Sequence, residues 1–196
     1  MSVAVAVKSR DQIVIAADTK RTFGSGAVSD ANFTDLKIRQ VGAAYIATTG
    51  WGLYSNILED YLNGRKRAKL TDQASIFSFF RQFWKDLHER YSFVSDQRPD
   101  DDSPFGDLDA SFLIVSPDGI FSVACDMSVT QFEQYYAIGS GAPYALGAIH
   151  ALYKADGDPL KIAERGVEAG MALDIYCGGR VTAFTVPVRK TRGAKR

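Results

Sequence analysis

Ser2-Val3-Ala4-Val5-Ala6-Val7-Lys8 and Gln12-Ile13-Val14-Ile15-Ala16-Ala17-Asp18 are the two runs on which the fold turns. Residues 3–8 and 12–17 read as two strands around a short polar turn. Valine alternates with alanine in the first, and the second is nearly all apolar. Each strand is therefore apolar on both faces. Such strands belong in the middle of a layered structure, not on a sheet with one face in water.

Outward from this pair, residues 19–36 are polar and Gly-rich, and a second strand pair follows around Lys37–Val41 and Ala44–Thr48. The spacing of Leu53, Ile57, Leu58, Tyr61 and Leu62 predicts a helix from about 53 to 62, ended by Asn63-Gly64. A second helix begins near Thr71-Asp72. Its stripe of Ile76, Phe80, Phe83, Trp84, Leu87 and Tyr91 predicts core or an interhelix seam. Residues 95–109 carry six Asp and two Pro and read as a solvated loop. Strands return at Ser111–Ser116 and Ile120–Cys125 across the turn Pro117-Asp118-Gly119, and again at Gln134–Ile138. Two helices rich in small residues open at Pro143 and at Pro159 behind Asp158. Arg180–Val188 is the last strand. Paired helices between groups of strands do not suit a βαβ sheet. They suit two stacked sheets with helices outside each, a four-layer αββα sandwich of the α+β class.

At 196 residues the expectation is one domain over 1–188 and a mobile tail over 189–196, where five of eight residues are cationic. Lys+Arg and Asp+Glu both count 23, which disfavours a general binder of nucleic acid or anionic membrane. The apolar start is broken at Lys8-Ser9-Arg10-Asp11, unlike a signal peptide, and no run reaches the roughly 18 apolar residues of a membrane span. Two cysteines, Cys125 and Cys177, make no disulfide framework and lack metal spacing, so a cytoplasmic location is expected.

His88 and His150 each fall inside a predicted helix without a partner at ligand spacing, so neither a metal nor any other cofactor is expected. No Gly-x-Ser-x-Gly elbow and no phosphate-cradling loop is present. Tyr135–Ile138 followed by Gly139-Ser140-Gly141 opens like a dinucleotide fingerprint, but the sixth position, which needs Gly or Ala, is Tyr144. Ser2 is different. If Met1 is removed, Ser2 carries a hydroxyl and a free α-amine on one residue, a nucleophile with its own base.

Ser2–Val7, Ile13–Asp18, Lys37-Ile38, Ile46-Ala-Thr-Thr-Gly50, Ala137-Ile-Gly-Ser140-Gly141-Ala-Pro-Tyr-Ala and Asp174-Ile-Tyr-Cys-Gly-Gly179 together resemble the proteasome β-subunits. The short bacterial HslV peptidases are similar over the first half and around Gly139–Ala145. This resemblance to N-terminal-nucleophile hydrolases covers nearly the whole chain in order. It implies peptide-bond hydrolysis by Ser2 within a homo-oligomeric ring or double ring acting on unfolded polypeptide, with an ATP-dependent unfoldase as partner. The same fold also allows a small-molecule amidase. A third alternative is a non-catalytic ring subunit, a kind that usually carries an extra segment before the first strand.

By position, the resemblance assigns Lys37 as the catalytic lysine, Asp18 as its partner, and Ala47 as the backbone donor of the oxyanion hole. Ser140 and Asp174 would bond around the amine and a water. Arg21, Ala47 and Thr49 would offer backbone groups to an extended peptide, and Tyr45 would lie near the base of a side-chain pocket. The chain departs from the family in three places: serine replaces the usual threonine at Ser2, alanine replaces glycine at Ala47, and Cys177 stands where a serine is common. With no long propeptide, an aminopeptidase is expected to remove Met1.

Overall fold

The valines and alanines of the first strand point to different layers. A computed structural model describes residues 2–23, 26–29, 32, 36–63, 65, 68–91, 108–154 and 156–189. In it β1 (Ala4–Lys8) and β2 (Gln12–Asp18) pair antiparallel at the centre of a four-stranded sheet. They are flanked by β10 (Tyr135–Ile138) and β11 (Val181–Pro187), in the order β10-β1-β2-β11. Ala4 and Ala6 face a second sheet across an apolar layer shared with Ile13, Ile15, Ile38, Ala47, Leu113 and Val115. Val3, Val5 and Val7 face the other way, into Ala145, Ile149, Ala163 and Val167 of the helices. On β1 the side-chain period of two sends valine to the helices and alanine to the second sheet, where the isoleucines of β2 fill the space.

The second sheet is a meander of β5 (Ile38–Val41), β6 (Ala44–Gly50), β7 (Ala110–Ser116), β8 (Gly119–Val123) and β9 (Val129–Phe132). Its outer face packs Ile46, Phe112, Ile114 and Phe121 against α1 (Gly52–Leu62) and α2 (Gln73–Arg90). On the opposite side, α3 (Ala142–Leu152) and α4 (Pro159–Leu173) cover the first sheet. The architecture is the αββα sandwich that the element order implied.

Local chemistry sets the helix starts. The Asp72 carboxylate accepts the Ser75 N–H while the Ser75 hydroxyl accepts the Asp72 N–H, a reciprocal capping box that opens α2. The Asp158 carboxylate accepts the Leu160 N–H ahead of Pro159. The expected stripe on α2 is core, with Ile76, Phe80, Phe83 and Leu87 fully buried and Trp84 and Tyr91 packed at its margin.

Three features differ from or add to the expectation. The polar, Gly-rich stretch 19–36 contains a short antiparallel pair of β3 (Thr22–Phe23) and β4 (Gly26–Ala27). Strand β9 went unpredicted because it is a polar edge strand with only its end residues half-buried. Its Phe132 stacks on Tyr136 across the sandwich at 3.8 Å. Of the expected tail, Arg189 is anchored, its N–H on the Pro117 carbonyl at 2.7 Å and its guanidinium 2.9 Å from Asp118. Residues 190–196, and 95–107 of the expected acidic loop, lie outside the described residues.

Candidate active site

Ser2 stands at the mouth of β1, where strand register brings the end of β2 beside it. Ala4 pairs with Ala17, so Asp18 comes level with Val3, and the Asp18 N–H donates to the Val3 carbonyl at 3.2 Å. The Asp18 carboxylate is fully buried and fully engaged. Its Oδ1 accepts the Val3 N–H at 3.0 Å and the Lys37 ammonium at 2.6 Å, and its Oδ2 accepts the Gly178 N–H at 3.0 Å. Burial pulls the Lys37 ammonium below the ordinary lysine value, and the Asp18 charge pushes back without cancelling that effect. A buried ion pair of this kind adds little net stability, but losing one partner leaves a bare charge at a cost of about 3–5 kcal/mol.

The turn from β10 into α3 closes over Ser2 from another side. Gly139 has φ +93°, and a Cβ there would stand 2.2 Å from the Ser2 carbonyl oxygen, so only glycine fits. The Gly141 N–H donates to that same carbonyl at 3.2 Å. The Ser2 N–H donates to Ser140 Oγ at 3.2 Å, and the Ser140 hydroxyl is hydrogen-bonded to Asp174 at the end of α4. Asp174 also accepts the Tyr176 N–H at 2.9 Å and the Cys177 thiol at 3.4 Å. Desolvation is the largest single influence on Asp174 and raises its pKa. The bonds from Ser140, Tyr176 and Cys177 outweigh it and hold the carboxyl below the usual range. Burial, with Asp18 and Asp174 nearby, pushes the Cys177 thiol up to about 12.

The third wall is the end of β6, where ladder parity matters. The Thr48 N–H donates to the Lys37 carbonyl at 3.0 Å, toward β5. In an antiparallel ladder, alternate residues direct their backbone groups to opposite neighbours. Ala47 and Thr49 therefore face β7, opposite Leu113 and Ser111, and Gly50 faces the β5 side again, past the start of that strand. This corrects the expectation for the backbone of Ala47 and Thr49: both are turned into the sheet. Ala47 is wholly buried between the sheets. The Tyr45 ring is taken up by a stack on Phe184 at 4.8 Å and is absent from the described walls of the cleft.

A cleft of about 430 Å³ opens at this point, walled by Ser2, Lys37, Lys20, Arg21, Gly50, Trp51 and Asp109 among others. Gly50 has φ +110°, and a Cβ there would lie 2.1 Å from the Asp109 carbonyl. The Arg21 carbonyl accepts the N–H of Val28, just past β4, and its guanidinium lies over Gly52. A larger groove of about 1030 Å³ lies between β5 and α1, and its lining holds no candidate nucleophile.

Five expected residues therefore converge: Ser2, Asp18, Lys37, Ser140 and Asp174. Arg21 borders them. Gly50 and Trp51 went unassigned, although a glycine directly before a helix start is the signal that marks them. Among the described residues no three His, Cys, Asp or Glu side chains gather so as to hold a metal ion, and no helix is long and apolar enough to cross a membrane.

No protein-family model matches the chain. The proteasome β subunit of Nanoarchaeum equitans is 24% identical over 200 residues, spanning 95% of this chain and 93% of that protein. The HslV subunit of an ATP-dependent protease from Pseudothermotoga lettingae is 34% identical over 77 residues, 38% of this chain and 44% of that one. The solved structure of Thiobacillus denitrificans BPH is 32% identical and superposes with a TM-score of 0.87 over 96% of this chain and 100% of its own. That protein has also been solved in complex with epoxomicin, at 33% identity to this chain. The chain belongs to the proteasome β-subunit and HslV family of N-terminal-nucleophile hydrolases.

Proposed function

We propose that the chain is a peptidase subunit of a self-compartmentalising ring, with Ser2 as its nucleophile once Met1 has left. The observation that carries this reading is the convergence on Ser2 of a buried Asp18–Lys37 pair from one side and the Ser140–Asp174 pair from the other. Removal of Met1 turns the Ser2 N–H into an α-amine already seated beside Ser140 Oγ. Its ordinary pKa of about 7.7–8 leaves a neutral fraction near pH 7 to act as base.

Ser2 Oγ attacks the peptide carbonyl carbon and passes its proton to the α-amine. The C–N bond breaks, the leaving amine takes that proton, and water then hydrolyses the acyl ester by the reverse roles. Lys37, held by Asp18, stabilises the developing negative charge. The oxyanion donor is reassigned from Ala47 to the Gly50 N–H, which ladder parity turns toward the cleft. Such a donor contributes about 10²–10³ in rate. An extended peptide would run past Arg21. The epoxomicin complex of a relative makes that peptide epoxyketone a suitable probe here.

The test is intact-mass measurement of the purified chain with mapping of the residue labelled by epoxomicin or a β-lactone. Met1 should be absent and the label should sit on Ser2. Lys37→Ala should reduce labelling to background. Because it also strands Asp18, the pair Asp18→Asn with Lys37→Met is the cleaner variant and should fold yet stay unlabelled. Active protein that retains Met1, or labelling untouched in the double variant, would sink the mechanism.

A further inference from the structure

Lys20 stands on the cleft wall with Ser2 and Lys37, and the chemistry at Ser2 gives it no part. Its half-buried side chain reaches a loop 155 residues further along the chain, where the ammonium donates to the Ile175 carbonyl at 2.5 Å. Ile175 directly follows Asp174. Asp174 is the carboxylate hydrogen-bonded to Ser140, and Ser140 Oγ accepts the Ser2 N–H.

The loop that leaves α4 is tied to the segment at the end of β2 in two places. In its far half, Asp18 Oδ2 accepts the Gly178 N–H at 3.0 Å and the Lys20 N–H donates to the Gly178 carbonyl at 3.0 Å. Thr19 Oγ1 accepts the Arg180 N–H at 2.8 Å beside them. In its near half, 174–176, the bond that arrives from the β2 side is that of the Lys20 ammonium. The outer side of this half is open, with Ile175 76% exposed. Two local features fit the ammonium to its place. The last turn of α4 carries no basic residue of its own, and the carbonyls at a helix C-terminus bear a partial negative charge that a cation offsets. Gly178 makes room for the lysine stem, since a Cβ there would stand 3.1 Å from Lys20 Cδ.

We propose that Lys20 is a positioning residue: by holding the Ile175 carbonyl it fixes Asp174 and, through Ser140, the direction of the Ser2 amine. The proposal rests on the reading of Ser2 as nucleophile and deepens it by supplying the brace behind its base. Asp174 is bonded within the loop to the Tyr176 N–H, the Cys177 thiol and the Cys177 N–H. Residues 174–177 therefore shift as a unit when the brace is lost, and they carry the carboxylate with them. A displacement of about 1 Å at a group that orients a reacting atom costs up to about 10²-fold in rate.

The test follows labelling of Ser2 in the full chain against epoxomicin concentration, which separates the half-saturating concentration from the limiting rate. Lys20→Met keeps the stem and removes the donor. Its limiting rate should fall about tenfold, with half-saturation within about twofold of native and labelling of folded chains still going to completion. Lys20→Gln, whose reach is too short, should behave alike, and Lys20→Arg should restore most of the rate. Amide hydrogen exchange across 174–178 should be faster in the Met and Gln variants and native in the Arg variant. A raised half-saturation at unchanged limiting rate would make Lys20 a contact of the ligand and overturn the proposal. So would an unchanged limiting rate, slow labelling without faster exchange at 174–178, or no rescue by arginine. Label mapped away from Ser2 in the native chain would sink the nucleophile alone, because the exchange comparison reads the brace without any reaction.

Discussion

The two helical layers cover one sandwich with opposite materials. Under α3 and α4 many of the contacts are made by alanine, glycine and valine, and backbones come close. A Cβ on Gly170 would sit 3.1 Å from both methyl carbons of Val3, and one on Gly141 would sit 2.9 Å from Val3 Cβ. Under α1 and α2 the layer is aromatic. Tyr61 meets Phe83 edge-on at 5.3 Å, and Phe80 tilts against Phe112 at 4.7 Å. Large rings fill volume and supply most of the apolar area removed from water. Small residues bring main chain within reach of main chain, which is what places the Ser2 carbonyl and N–H between Gly141 and Ser140. One layer mainly stabilises the fold, and the other also positions the nucleophile.

The largest expected effect breaks this division directly. Gly139→Ala imposes a φ that costs about 1–3 kcal/mol on a non-glycine residue. It also drives a Cβ into the Ser2 carbonyl. Ser2 must move, and labelling by a β-lactone should vanish even in the fraction that remains folded. Phe80→Ala in the aromatic layer should cost about 3–5 kcal/mol and lower Tm by roughly 10 °C. Yet the folded protein should label at nearly the native rate. Stopped labelling in folded Phe80→Ala would show that the two layers do not divide the work.

Next comes thiol reactivity, which sharpens the same contrast without a mutation. Cys177 is buried beside Asp174, and its pKa is raised from an ordinary 9.0 to about 12. The shift disfavours the thiolate, so at pH 8 its population falls about a thousandfold, and the thiolate is the species that alkylates. Iodoacetamide at pH 8 should modify the exposed Cys125 and leave Cys177 intact in folded protein, as read by peptide mass mapping. The protection should persist as pH rises and give way only toward 12. Modification of both at similar rates would mean that the small-residue layer opens on that timescale.

The layers were more legible in sequence than the site. Alternating Val and Ala in residues 3–7 announced a strand buried on both faces, and the helical spacing on α2 announced its aromatic core, because burial leaves a period in the sequence. Asp18 and Lys37 carry no such period. A strand-end acid and a lysine 19 residues later are ordinary until the two sheets stack and bring the end of β2 against the start of β5. Their pairing was readable only through resemblance to a family. Ala47 shows where position alone misleads. Which way a backbone N–H points depends on ladder parity, and parity is set by the two-residue turn at Gly42-Ala43 that pairs Val41 with Ala44. Strand β9 was missed for a related reason, since an edge strand need bury only part of itself.

The smallest predicted effect has the opposite sign and marks the edge of the tight layer. Gly147 lies in the middle of α3, exposed, and a Cβ built there meets nothing within 4 Å. Glycine at such a position costs roughly 0.5–1 kcal/mol relative to alanine through the freedom of the unfolded chain. Gly147→Ala should raise Tm by about 2–3 °C in a thermal melt, with Ser2 labelling unchanged. Gly166→Ala, on the neighbouring helix, offers the same entropic gain but places its Cβ 2.7 Å from two carbons of Ile149, so its net effect should be a loss. The pair turns one substitution into a gauge of how closely each helix face is covered. If Gly147→Ala destabilised the protein as Gly166→Ala does, the outer face of α3 would have to be occupied in solution, and a second copy of the chain would be the first occupant to look for.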